Sequence, residues 1–187
     1  MRKTIVLLAI AMYMPISTSN LNAAGLAGVN LPDTTTVGDK SLVLNGLGLR
    51  SEFMVKVYVA GLYLPHKSSD AGAIIKIDEP KQLVMQFLHD ASKKQMTDAF
   101  DESFKDNTPD AEQTMKADID RFLGVLEDVK VGQQMVFTYV PSMGTTLAIN
   151  GKDKLTIAGA PFGQMVFSVW LGPKPPTANL KKGILGQ

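Results

Sequence analysis

At 187 residues and 20.2 kDa, with 45% hydrophobic and 20% charged residues, the chain has the profile of one globular domain with a sizeable core and is too short for two ordinary ones. A formal charge of +1 with no basic face excludes nucleic acid as a natural partner. The absence of cysteine excludes disulfides, thiolate chemistry, zinc–thiolate sites and a lipid anchor through an N-terminal cysteine.

The chain starts with Arg2 and Lys3, continues through an apolar run at residues 4–14, and reaches small and polar residues ending at Ala23 and Ala24. This is the order of a secretory signal peptide. The apolar run is too short to cross a bilayer as a mature helix. The expectation is therefore a signal peptide over residues 1–24, cleaved near Ala23 or Ala24, and a domain over residues 25–187. The mature protein would be exported, periplasmic if the source is bacterial, and without a stable membrane span. Loss of Arg2 and Lys3 turns the formal charge from +1 to −1.

Residues 25–40, rich in Gly, Thr and Asp, lead into a first strand at 42–44, which the turn signal Asn45-Gly46 is expected to end. Residues 53–64, FMVKVYVAGLYL, carry the strongest strand pattern. Alternation puts Phe53, Val55, Val57, Val59 and Tyr63 on one face and Met54, Lys56, Tyr58, Ala60, Leu62 and Leu64 on the other. Both faces are mainly apolar, as for a strand covered on one side and lining a cavity on the other. Residues 82–88 read as a further strand.

Ser92 with Gln95 forms a capping box ahead of Met96, Ala99, Phe100 and Phe104 at helical spacing. Thr108-Pro109 is expected to start a second helix, whose stripe runs through Ala111, Met115, Ile119, Phe122 and Leu126. Strands at 135–139 and 145–149 follow. Asn150-Gly151 then turns into a strand at 155–157. Residues 159–170 read as a helix closed by Gly172-Pro173, and Thr177 caps a last short helix ending at Gly183. Strands first, helices in the middle, then a hairpin and a final helix predict an α+β domain with an antiparallel sheet.

Few residues suggest chemistry. The two histidines, His66 and His89, have no second ligand at a useful spacing, so no metal site is expected. Gly46-x-Gly48 precedes the strong strand and lacks a third glycine, so it is no dinucleotide fingerprint; its meaning is a tight turn or a close backbone approach. No G-x-S-x-G occurs, and Ser92 is explained as a cap. No cofactor is implied. Arg50 has two readings. It either anchors a carboxylate or enolate at the edge of an apolar cavity, sharing a face with Met54 and Tyr58, or it is a surface arginine paired with Glu52.

The run Leu44-Asn45-Gly46-Leu47-Gly48-Leu49-Arg50, followed by Phe53-Met54-Val55-Lys56-Val57-Tyr58-Val59-Ala60-Gly61-Leu62-Tyr63-Leu64, resembles the chalcone isomerase family. That family has a glycine-rich stretch ending in a catalytic Arg and then a strand of similar form. The ending Trp170-Leu171-Gly172-Pro173-Lys174-Pro175-Pro176, with Leu180-Lys181-Lys182-Gly183 beyond, is similar to its bacterial chalcone isomerase-like branch. The resemblance implies a large antiparallel sheet backed by a layer of helices, with a cleft between them.

In the plant enzymes of this family a phenolate adds to an enone, and the Arg stabilises the enolate that develops. Carried over residue by residue, the catalytic Arg is Arg50 and the strand Thr falls at Tyr58. The Tyr and Asn of the first helix fall near Met96 and Ser103, and the Ser/Thr of the later helix near Val169. One of about five polar catalytic groups survives. Since one oriented donor is worth about 2.7–4 kcal/mol of barrier, efficient flavonoid cyclisation is not expected. Other members of the superfamily bind fatty acids without catalysis, the Arg and a Tyr holding the carboxylate.

The resemblance thus implies a binding protein for a small apolar carboxylate or phenolic ligand, with Arg50, Tyr58, Met96, Ser103 and Val169 around it. Two alternatives stand beside it. One is an isomerase, acting as an intramolecular lyase with Arg50 as electrophile and Tyr58 as proton donor. The other is a structural or interaction protein whose cleft is filled by its own side chains. No protein partner is implied.

Overall fold

A computed structural model of the chain describes residues 23–187. The expected signal peptide lies outside the described residues, apart from Ala23 and Ala24. The chain runs β1 (Ala23–Leu26), β2 (Val29–Pro32), β3 (Thr34–Val37), β4 (Lys40–Glu52), β5 (Val55–Leu64), α1 (Ala71–Lys76), β6 (Lys81–Phe87) and α2 (Lys93–Asn107). It continues as α3 (Ala111–Thr114), α4 (Lys116–Gly124), β7 (Gln134–Val140), β8 (Gly144–Ile149), β9 (Lys152–Ile157), α5 (Ala160–Leu171) and α6 (Ala178–Ile184). Strands β3 to β9 form a seven-stranded sheet in sequence order, antiparallel throughout, and β1 and β2 form a separate hairpin. The domain is α+β, as the order of elements predicts.

The sheet has two buried faces. On one, Tyr58, Ala60, Leu62 and Leu64 of β5 join Leu83, Met85, Phe87, Met135 and Phe137 beneath the helices. The α5 residues Val166, Phe167 and Trp170 lie at the centre of that layer, at most 1% exposed. On the other face Val59 and Tyr63 pack with Val29 and Leu31 of the β1–β2 hairpin, and the Tyr63 hydroxyl donates to the Pro32 carbonyl at 2.8 Å. This explains why β5 is apolar on both sides.

The course of β4 departs from its sequence reading. The strand does not end at Asn45-Gly46 but continues to Glu52, with register shifts at Leu44/Gly46 and Arg50/Ser51. Asn45 is the extra residue at the first shift. Only 5% exposed, it exchanges hydrogen bonds with Ser68 at 2.8 and 2.9 Å and donates to the Ile184 carbonyl at 2.8 Å. An Asn whose amide is saturated by distant backbone has no need of a turn. The glycines that follow serve close approach. A Cβ on Gly46 would lie 2.2 Å from the Gly183 carbonyl oxygen, and one on Gly48 2.2 Å from that of Leu180, so α6 docks directly on the β4 backbone.

Other boundaries also differ. Residues 25–40 supply three short strands, not a lead-in. Phe53 and Met54 form the β4–β5 turn and lie outside the strand, so Met54, 99% exposed, shares no face with Arg50. Thr108 closes α2, its amide donating to the Phe104 carbonyl at 2.8 Å, and helix resumes at Ala111. Pro109 is therefore a spacer ahead of the cap Asp110 and not a first helical residue. The stripe Ala111, Ile119, Phe122 and Leu126 is buried as expected, though the helix breaks at Met115. The capping box on α2, the Asn150-Gly151 turn and the Thr177 cap are all present.

Candidate functional site

The site begins with the second register shift. Glu52 pairs with Val55 and Ser51 with Lys56, but Arg50 pairs with Tyr58, leaving Val57 as the extra residue of a β-bulge. Without the bulge Arg50 would face Val57. With it, Arg50 and Tyr58 stand side by side on the helix-covered face, because directly opposed residues of an antiparallel pair share a face. The Val57 carbonyl accepts from the amides of Leu88 and His89 at 2.9 and 3.2 Å, which anchors the bulge to the end of β6. Strict alternation assigns Val57 to the face opposite Tyr58; the bulge brings both to one cleft.

That cleft has a volume of about 730 Å³, within the range of roughly 300–1,000 Å³ usual for small-molecule sites. It lies between the β4–β5 end of the sheet, one face of α2 and the C-terminal end of α5. Its floor is apolar: Met85, Phe87, Met96, Phe100 and Val169. Arg50, Tyr58, Met96, Ser103 and Val169, separated widely in sequence, all line it. Met96 and Ser103 come from the capped, amphipathic α2, which turns Met96 and Phe100 inward, and Val169 comes from α5. Ser103 is half-buried, with its hydroxyl 3.4 Å from the Asn107 amide nitrogen.

The electrostatics centre on Arg50. Its guanidinium donates to Glu52 at 2.8 Å and sits 5.9 Å from the centre of the Tyr58 ring, with 26% of the side chain exposed. Arg50 thus pairs with Glu52, as the second sequence reading has it, and at the same time lines the apolar cleft. Other acids on the rim are also engaged, Asp106 with Lys174 at 2.7 Å and Asp90 with Lys130 at 3.1 Å.

Tyr58 is buried, and Trp170 Nε1–H donates to its hydroxyl oxygen at 3.1 Å. Burial pushes the Tyr58 hydroxyl up to about 12, and the Arg50 charge and the Trp170 hydrogen bond offset this only in part. Tyr58 therefore stays neutral at physiological pH. Since its oxygen is the acceptor for Trp170, its own proton remains available to a ligand oxygen. Sequence reasoning gave Trp170 no part in the site. The usable signal was that a buried indole N–H needs an acceptor. His89 and Lys174 stand at the rim, and among the described residues no group of three or more acidic or histidine side chains can hold a metal ion.

The arrangement sets the Arg50 cation beside the neutral Tyr58 hydroxyl at the edge of an oily groove. Among solved structures, a fatty-acid-binding protein of Arabidopsis thaliana superposes with a TM-score of 0.66 over 88% of this chain and 96% of its own, at 14% sequence identity. At that identity the likeness concerns the fold. No curated protein matches the sequence. The family model described as chalcone isomerase-like matches residues 23–186, nearly all of the described chain and including every residue of the cleft. The chain belongs to the chalcone isomerase-like family.

Proposed function

We propose that the protein is an exported, non-catalytic binding protein for a fatty acid or similar small apolar acid. Arg50 would hold the carboxylate, with Tyr58 donating a second hydrogen bond and the apolar chain lying over Met85, Phe87, Met96, Phe100 and Val169. The observation that carries this reading is the opposition of Arg50 and Tyr58 at the edge of the apolar cleft. A guanidinium matches a carboxylate in charge and in the geometry of its paired N–H groups. The fatty-acid-binding protein with the same fold supports the choice of ligand class. The leader-like residues 1–24 support export, to the periplasm in a bacterial cell.

An isomerase would use the same pair, with Tyr58 as proton donor. A hydroxyl pushed up to about 12 is a weak acid at neutral pH. Met96 and Val169 add no polar group where the plant enzymes have them. Binding is the reading that the side chains support better.

The test is extraction and mass spectrometry of what copurifies, followed by displacement of a fluorescent fatty acid from wild type and Arg50→Ala. The expected result is a bound acid, and weaker binding to the variant. No copurifying acid and equal affinities would reject the proposal. Turnover of a chalcone panel that depends on Arg50 would favour the isomerase.

A further inference from the structure

Four hairpins among the described residues close with two-residue turns: Ala27-Gly28, Gly38-Asp39, Phe53-Met54 and Asn150-Gly151. Three of them place glycine at a left-handed position, with φ of 86° at Gly28, 60° at Gly38 and 73° at Gly151. Left-handed backbone suits glycine or asparagine, and the hairpin at Asn150-Gly151 has the favoured pair for it. The β4–β5 turn has nearly the same backbone, with φ of 44° and 71°, but bears Phe and Met. Large side chains there are strained.

Packing does not compensate for this strain. Phe53 is 94% exposed and Met54 99% exposed, and Val55 beside them is 43% exposed. Phe53 and Val55 also line the cleft, so the apolar tip stands at its mouth. Lys56 is exposed next to the tip and has no ion pair among the described residues. Two side chains are far too few for a protein interface, which covers roughly 800 Å² on each partner. They suit a wedge that enters the boundary between lipid headgroups and acyl chains, with a nearby lysine to meet phosphate.

From these features we infer that the Phe53–Met54 tip is a membrane-contact element, which dips into a phospholipid bilayer and brings the mouth of the cleft to its surface. A cleft with a cation, Arg50, at the edge of an oily floor suits amphiphiles, and amphiphiles partition into bilayers. That the cleft takes its amphiphile from the bilayer rests on the binding reading above; the membrane contact does not.

The experiment is cosedimentation with vesicles of phosphatidylcholine, alone and with added phosphatidylglycerol. It uses protein recovered after expression of the full chain, with its amino terminus checked by mass. The variant Phe53→Asn/Met54→Gly restores the favoured turn pair, so it keeps the fold and unfolds at a higher temperature than wild type. It should lose vesicle partitioning by at least about a hundredfold, the lower bound for withdrawing two large apolar side chains from hydrocarbon. Wild type that partitions into vesicles but copurifies with no acid would keep this inference and reject the ligand reading, so the two fail separately. No partitioning by wild type, or equal partitioning by the double variant, would overturn it. So would concentration-dependent self-association that the double variant abolishes, since the tip would then belong to a second copy.

Discussion

Arg50 and Tyr58 are directly opposed across the β4–β5 hairpin because Val57 bulges out of the ladder between them. The bulge places the cation and the hydroxyl on the face where α2 and α5 complete the cleft. Glu52, two residues along β4, lies 2.8 Å from Arg50, so the protein carries its own carboxylate in contact with the group proposed to bind one.

A carboxylate ligand must compete with Glu52. Arg50→Ala should weaken fatty-acid binding by about tenfold to a hundredfold, the equivalent of roughly 1.5–3 kcal/mol for a hydrogen bond to a charged group. Glu52→Gln should tighten it, by up to about fivefold, because a partly exposed ion pair is worth about 0–1 kcal/mol. Displacement titrations of both variants check this, and weaker binding by Glu52→Gln would contradict it.

Tyr58→Phe removes the acceptor of the Trp170 indole N–H, which is buried. A buried donor left unpaired costs about 1–3 kcal/mol, so the urea midpoint should fall with the m-value unchanged. Trp170→Phe in the same background should cost less than it does alone, since no orphaned donor remains. The double-mutant cycle measures the coupling.

Gly46→Ala and Gly48→Ala each put a methyl group 2.2 Å from a carbonyl oxygen of α6. Neither backbone can yield locally, so each change should destabilise by about 1–3 kcal/mol or more. Amide exchange should show α6 losing protection before the sheet does.

Alkaline stability should pass through a maximum. Lys81 is buried, with its ammonium on the Ile74 and Ile77 carbonyls at 2.7 and 2.8 Å, and burial lowers it from 10.5 to about 8. Between these values the unfolded chain binds the extra proton, so stability rises as pH increases from about 8 to 10.5. Tyr58, Tyr63 and Tyr139 are each pushed up, chiefly by burial, from 10.0 to about 12. There the folded chain holds the protons, and stability falls over that window. Urea midpoints measured across pH should rise and then fall. Lys81→Met should abolish the rise and keep the fall.

Much of the fold was legible from local chemistry. The capping box at Ser92, the Asn150-Gly151 turn and the Thr177 cap are each decided by neighbours a few residues apart, and each forms as read; the period-2 run of β5 holds from Tyr58 to Leu64. Arg50 was legible too, as a lone guanidinium between a glycine stretch and an apolar strand. The readings at Asn45-Gly46, Phe53-Met54 and Pro109 failed because residue type describes what a segment favours in isolation. Asn45 is held in β4 by Ser68 and Ile184, which are remote in sequence.

What the sequence determined by itself is therefore the identity of the charged and apolar groups and the periodicity that buries them. Tertiary structure decided which of them meet. The Val57 bulge turned Arg50 toward Tyr58, and α5 brought Trp170 to the same hydroxyl. The physical reason is that alternation along a strand is a local rule, whereas register is settled only when two strands and the layer above them pack together.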